Sequence, residues 1–196
     1  MNLRTIIQFQ FGGADAIRET ARSSGALWTG AALCLLTSIA RNYDQTWILA
    51  TPFWLIGNLL FSLVSSWVIF TLIYSGFVER RIPMAFLHVP FTPQYRSFLG
   101  MFWMTAPIAW LYAIPVERWL DSYSAAQFNI ALLAIVSLWR VLLLARVVSV
   151  TTGARFKGAL LWTLFAASVE VVAVIFLGGF ANLNDSILRG MSGMRN

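Results

Sequence analysis

Two charged side chains lie inside apolar stretches of the sequence. Arg140 lies in the run 125–150, and Glu170 lies near the centre of the run 158–181. A charge near the centre of a bilayer costs about 2.5–3.5 kcal/mol on insertion scales, so such a residue normally faces other helices and finds a partner. We therefore predict that Arg140 and Glu170 form a buried ion pair. The alternatives for the same two residues are a proton or ion path through the membrane and a misplaced span boundary.

The spacing of the two charges supports a direct contact. A short basic turn around Gly153 separates the two runs, so their helices should be antiparallel neighbours. Arg140 lies thirteen residues before Gly153 and Glu170 lies seventeen residues after it. The offset of four residues corresponds to about 6 Å along the helices, which an extended arginine can reach.

Uncharged polar residues also recur at helical spacing. Asn58, Ser62 and Ser65 fall on one face of a predicted helix, and Asn129 and Ser137 fall near the face of Arg140 on another. Such stripes serve either a polar pathway or hydrogen bonds between helices, and the second use is commoner. A further charged cluster is predicted at the loop ends outside the membrane, with a solvated rim, salt bridges and a polar ligand site as its alternatives: Arg41, Asp44, Glu117, Arg118 and Asp121.

Motifs for catalysis, metals or cofactors are missing from the sequence. There is no nucleophile elbow, phosphate-binding glycine loop, His-Glu-x-x-His or Cys-x-x-Cys pattern. His88 is the single histidine and Cys34 the single cysteine, whereas a metal site needs several ligands. We predict no cofactor, no metal and no catalytic residue, and we favour a protein that is not an enzyme.

The elements that position these residues are predicted to be membrane-spanning helices. Hydrophobic residues make up 59% of the 196 and charged residues 11%, where a soluble domain has about 25% charged residues. The mean hydropathy is +0.72. We predict an all-α, polytopic transmembrane helix bundle over residues 25–181, with an interfacial segment 1–24 and a polar tail 182–196. Its five spans are predicted at about 21–40, 52–75, 98–116, 125–150 and 158–181.

Prolines and short runs mark weak points in this assignment. Pro107 should kink the third span, and three prolines exclude a regular spanning helix from the connector 79–97. The first span reaches spanning length only if it starts near Ala21. A cleaved signal peptide ending near residues 38–40 is the alternative for that part of the chain.

The distribution of basic residues predicts the orientation of the chain in the membrane. Successive segments outside the spans contain three, one, three, one, two and two Lys or Arg residues, and the fourth loop also has Arg146 beside it. Basic residues concentrate in cytoplasmic loops, so the N-terminus is predicted inside and the C-terminus outside, with Arg146 reaching cytoplasmic headgroups. The net charge of +6 then indicates contact with anionic lipid rather than nucleic acid. We expect the bacterial cytoplasmic membrane, with a membrane protein or a second copy as possible partner.

Four stretches resemble a group of uncharacterised bacterial multi-span proteins: 40–44, 95–107, 114–118 and 138–140. This resemblance implies no known activity. More loosely, Pro107, Trp139 and Thr152-Gly153 resemble the Yip family of five-span membrane proteins, whose eukaryotic members act in vesicle traffic with small GTPases. From the missing catalytic motifs, the small loops and the small-residue helix faces we expect a non-enzymatic scaffold or partner-binding membrane protein, similar to the Yip family. The first alternative is a small transporter or channel that uses Arg140, Glu170 and the polar stripes, and the second is a membrane-embedded enzyme.

Overall fold

Seven α-helices make up most of the described chain. The computed structural model describes the backbone of residues 1–41, 53–74 and 92–193, and the side chains of residues 1–40, 56–74, 92–116 and 118–176. Two 3-10 helices, Ala106–Ala113 and Val116–Arg118, also lie in these ranges, and no strand does, so the all-α prediction is confirmed there. The α-helices are α1 (Leu3–Gln10), α2 (Ala14–Arg22), α3 (Ala26–Arg41), α4 (Phe53–Ile73), α5 (Pro93–Met104), α6 (Ser122–Thr152) and α7 (Phe156–Gly193).

Three of these helices, α4, α6 and α7, are long and apolar enough to cross a membrane. A fourth crossing results if α2 and α3 together count as one bent span. The outer face of α7 shows why lipid is needed, since Val172, Ile175 and Phe176 are each more than 60% exposed. Contiguous exposed apolar surface of this kind is rare in water-soluble monomers. The helices are those of a multi-pass membrane protein.

Two of the five predicted spans are interrupted. The predicted span 21–40 was wrong as a continuous helix, because α2 and α3 meet at a bend of 108°. The residues between them, Ser23, Ser24 and Gly25, are weak helix formers. In the predicted span 98–116, α5 ends at Met104 and a 3-10 helix begins at Ala106. Pro107 explains this change, because it lacks an N–H and its ring clashes with the preceding helical turn.

The other helix boundaries lie closer to the predicted ones. Helix α4 lies within the predicted 52–75, and α6 extends the predicted 125–150 by a few residues at each end. Helix α7 does not end at residue 181 but continues to Gly193, so part of the predicted polar tail is helical. The proline-rich connector lies mostly outside the described residues, except that Thr92 caps α5 and Pro93 occupies its first turn.

Helices α3 and α5 approach each other closely at two glycines. A Cβ atom added to Gly30 would lie 2.8 Å from the carbonyl oxygen of Gly100. Small residues allow the backbones of neighbouring membrane helices to approach in this way. Near this contact, the Thr37 hydroxyl donates a hydrogen bond of 3.2 Å to the carbonyl oxygen of Ala106, where the 3-10 helix after α5 begins.

The N-terminal helices α1 and α2 pack against α5 and α6. Phe9 and Ile17 are fully buried and form one core cluster with Met104, Leu143 and Val147, among others. The two short helices are therefore part of the bundle, and the side chains of Leu3 and Ile7 on α1 are exposed.

Candidate functional site

A cavity of about 600 Å³ lies between α3, α4, α6, α7 and the segment 102–112. The three long helices face it with residues at helical spacing, such as Asn58, Ser62 and Ser65 on α4. Its volume is in the range of small-molecule sites. Half of its lining residues carry polar side chains: Cys34, Thr37, Ser38, Asn58, Ser62, Ser65, Thr105, Tyr112, Ser137, Arg140, Thr163 and Glu170.

Arg140 occupies the wall formed by α6 and the end of α5. Its Nε donates a hydrogen bond of 3.3 Å to the hydroxyl oxygen of Thr105, which itself donates to the carbonyl oxygen of Phe102 at 2.7 Å. The guanidinium carbon lies 5.6 Å from the centroid of the Phe102 ring, within reach of a cation–π attraction. These contacts hold the arginine head group at the cavity.

Glu170 faces the same cavity from α7. It shares one helical face with Thr163, Ala167 and Val171, which also line the cavity. Glu170 is half-buried.

Arg140 and Glu170 lie at similar depth in the bundle. Arg140 is twelve residues before the end of α6 at Thr152, and Glu170 is fourteen residues after the start of α7 at Phe156. At the helical rise these separations are about 18 Å and about 21 Å from the turn that joins the helices. Both charges would therefore lie near the middle of a hydrocarbon core about 30 Å thick. A direct salt bridge between them stays a prediction.

Thr163 is one of several polar residues of the wall that the sequence analysis did not identify. It is fully buried, and its hydroxyl has no hydrogen-bond partner within the described part of the chain. Leaving such a group unpaired costs about 1–3 kcal/mol. The sequence alone does not reveal this burial, because it depends on how α7 packs.

The predicted stripe on α4 lines the cavity and also joins helices. The hydroxyl oxygen of Ser62 accepts hydrogen bonds from Trp103 Nε1 at 3.0 Å and from the Cys34 thiol at 3.8 Å. On α6, Ser137 lines the cavity, whereas Asn129 is exposed and lies outside its wall. The two polar residues predicted on one face of α6 therefore lie in different environments, Ser137 at the cavity and Asn129 at the exposed surface.

The predicted outer charged cluster is described only in part. Asp44 and the side chains of Arg41 and Glu117 lie outside the described residues. Arg118 is exposed, and Asp121 caps α6 by accepting hydrogen bonds of 3.0 Å from the backbone N–H groups of Tyr123 and Ser124. Hydrogen bonds from Ser124 hold the pKa of the Asp121 carboxyl below its usual range. The described part of this cluster is a helix cap at the surface.

Arg146 joins α6 to the turn between α1 and α2. Its Nε donates a hydrogen bond of 3.3 Å to the carbonyl oxygen of Gly12, and its contact with lipid headgroups stays a prediction. Gly12 has a φ of +72°, which favours glycine, and this turn brings α1 to the side of α6. His88 lies outside the described residues. Among the described residues, no three His, Cys, Asp or Glu side chains come together as metal ligands.

No family model, curated protein or solved structure matches this chain. The resemblance to the Yip family has no support from these comparisons. The class of the protein therefore rests on its own features, which are helices of membrane-spanning length around a cavity that Arg140 and Glu170 line.

Proposed function

We propose that this chain is a multi-pass membrane transport protein that binds a small polar solute in the cavity between α4, α6 and α7. One observation carries the proposal: Arg140 and Glu170, two charges on apolar helices, line the same cavity. Ionisable residues inside membrane helices typically mark substrate or ion pathways. The scaffold function expected first from the sequence needs no polar cavity at this depth, so the transporter has the better support.

Uptake into proteoliposomes tests this function. Liposomes containing the purified protein are offered labelled monocarboxylates, primary amines, amino acids and inorganic ions, and an entrapped dye reports protons. At least one of these should enter faster than into empty liposomes, and Glu170→Gln should abolish that uptake.

Asn129→Ala is the matched control for this experiment. Asn129 is on the same helix as Arg140 but outside the cavity wall, so uptake should persist. Uptake equal to that of empty liposomes for every solute would contradict a transport function. Stable complexes with other membrane proteins would then favour the scaffold.

We further propose the orientation that the basic residues predict, with the N-terminus in the cytoplasm and the C-terminus outside. A reporter that is active only outside the cytoplasm should work when fused after Asn196 and stay silent within the connector 79–97. The opposite pattern would contradict the five-span arrangement and its orientation.

A further inference from the structure

A stripe of large apolar side chains is exposed along one face of α1 and at its C-terminal end. Leu3, Ile7 and Phe11 follow one another at intervals of four residues and are 71%, 49% and 75% exposed. We infer that this stripe inserts into the lipid bilayer at the boundary between anionic headgroups and acyl chains. The inference goes beyond the transport function and does not depend on it.

The buried side of the hairpin formed by α1 and α2 fixes where the stripe lies. Phe9 and Ile17 are fully buried and belong to one core cluster with Val147 of α6. At the turn of the hairpin, the carbonyl oxygen of Gly12 accepts a hydrogen bond of 3.3 Å from Arg146. The hairpin is therefore packed beside the last two turns of α6.

The length of α6 places those two turns at the level of the headgroups. Its 31 residues extend about 46 Å at the helical rise, whereas the hydrocarbon core of a bilayer is about 30 Å thick. A helix centred in the bilayer would thus extend about 8 Å beyond the core at each end. The hairpin beside the end of α6 therefore lies at the boundary of the core.

Phe11 connects the stripe to a surface of α6 that faces lipid. The centroids of the Phe11 and Trp139 rings are 6.1 Å apart, in an edge-to-face contact. On the same side of α6, Ile135 and Leu138 are each exposed within a helix that is apolar enough to cross a membrane. The exposed apolar surface thus continues from α6 onto α1, so the lipid that covers the first also reaches the second.

The exposed face of α2 is charged, unlike that of α1. Arg18 and Asp15 form a salt bridge of 3.0 Å there, and Arg22, one turn further along, is also exposed. A helical hairpin with one apolar and one charged face is suited to the boundary of a bilayer. The apolar face would contact acyl chains, and the charged face would lie among headgroups and water.

The charges at this level favour anionic lipid. The hydroxyl of Ser97 donates a hydrogen bond of 2.9 Å to the carbonyl oxygen of Ala21, so the start of α5 lies beside the end of α2. On the hairpin, the start of α5 and the turn before α7, the exposed acidic side chains are Asp15 and Glu19, and the exposed basic ones are Arg4, Arg18, Arg22, Arg96, Arg155 and Lys157. Such an excess of basic residues beside a bilayer attracts anionic headgroups.

Electron paramagnetic resonance of the full-length protein tests the insertion. Nitroxide labels are attached one at a time at Leu3→Cys, Ile7→Cys and Phe11→Cys in a Cys34→Ala background, in vesicles of phosphatidylcholine and phosphatidylglycerol. Oxygen dissolves preferentially in lipid, whereas a nickel chelate stays in water. Oxygen should therefore relax these three labels more strongly than the chelate does.

Arg22→Cys is the matched control, because this position lies on the charged face of the same hairpin. There the nickel chelate should relax the label more strongly. Labels at positions 3, 7 and 11 that the chelate reaches as readily as position 22 would overturn the insertion. Spin–spin broadening at these positions that disappears on dilution with unlabelled protein would overturn it too, since a second copy of the chain would then cover the stripe.

The lipid charge has a separate test with spin-labelled lipids in vesicles of phosphatidylcholine. Labelled phosphatidylglycerol should associate with the protein roughly threefold or more strongly than labelled phosphatidylcholine, because of the basic residues. Arg22→Gln should lower this preference and Asp15→Asn should raise it, since the two changes alter the charge of the hairpin in opposite directions. Equal association of the two lipids, or a preference that neither variant changes, would overturn the anionic partner.

Discussion

Arg140 lies over the ring of Phe102, at 5.6 Å from the ring centroid, and thereby reaches from α6 to the end of α5. The contact forms beside Thr105, where α5 ends and the 3-10 helix begins. The interruption of the third predicted span thus supplies partners for the arginine. A straight helix through this region would present different side chains to Arg140.

The coupling between Arg140 and Glu170 can be measured by a double-mutant cycle. Arg140→Leu and Glu170→Leu should each lower stability, and the double variant should lose less than the sum, because each single change already removes any attraction between the two charges. Breaking a buried pair costs on the order of 3–5 kcal/mol in soluble proteins. The measurement is reversible unfolding in mixed micelles. Strict additivity would show that the two charges do not interact.

Thr163→Val should stabilise the protein without solute. The change replaces a buried hydroxyl that lacks a partner with a methyl group of similar size, so about 1–3 kcal/mol of stability should be gained. Thr71→Val is the control, because Thr71 is equally buried and its hydroxyl donates to the carbonyl oxygen of Trp67 at 2.8 Å. A gain at Thr71 as large as at Thr163 would mean that the missing hydrogen bond is not the cause.

The close approach of α3 and α5 makes Gly30 sensitive to substitution. In Gly30→Ala the new Cβ would meet the backbone oxygen of Gly100 at 2.8 Å, so the helices must separate. Overpacking of this kind costs about 1–3 kcal/mol. Gly57→Ala is the control, since nothing lies within 4 Å of the added atom. At Gly57, alanine should be neutral or stabilising by up to about 1 kcal/mol, and equal Tm losses at both sites would contradict the close contact.

The sequence predicted the long helices well because their signal is local. Uninterrupted apolar runs of membrane-spanning length define α4 and α6, and the structure places these helices within a few residues of the prediction. The bend between α2 and α3 could not be predicted in the same way. Serine and glycine at 23–25 mark a weak point, but the direction of the chain after it depends on the packing of Ile17 and its neighbours.

The sequence identified the two charged residues of the candidate site but not the residues that contact them. Arg140 and Glu170 were identifiable because a charge inside an apolar run needs an explanation. Thr105 lies 35 residues from Arg140, and their contact depends on how helices cross, which no spacing rule gives. For the same reason Asn129 and Ser137 shared a predicted face, although only Ser137 lines the cavity.

Water access to the cavity can be measured with the chain's single cysteine, because Cys34 lines the cavity wall. A charged methanethiosulfonate reagent applied to the protein in native membranes should modify Cys34. The control is Val172→Cys in a Cys34→Ala background, because Val172 is exposed on the outer face of α7, where lipid should exclude the reagent. Rapid labelling of Cys34 and slow labelling at position 172 is the result that a solvated polar site predicts. Cys34 labelled no faster than position 172 would contradict a water-accessible site between the helices.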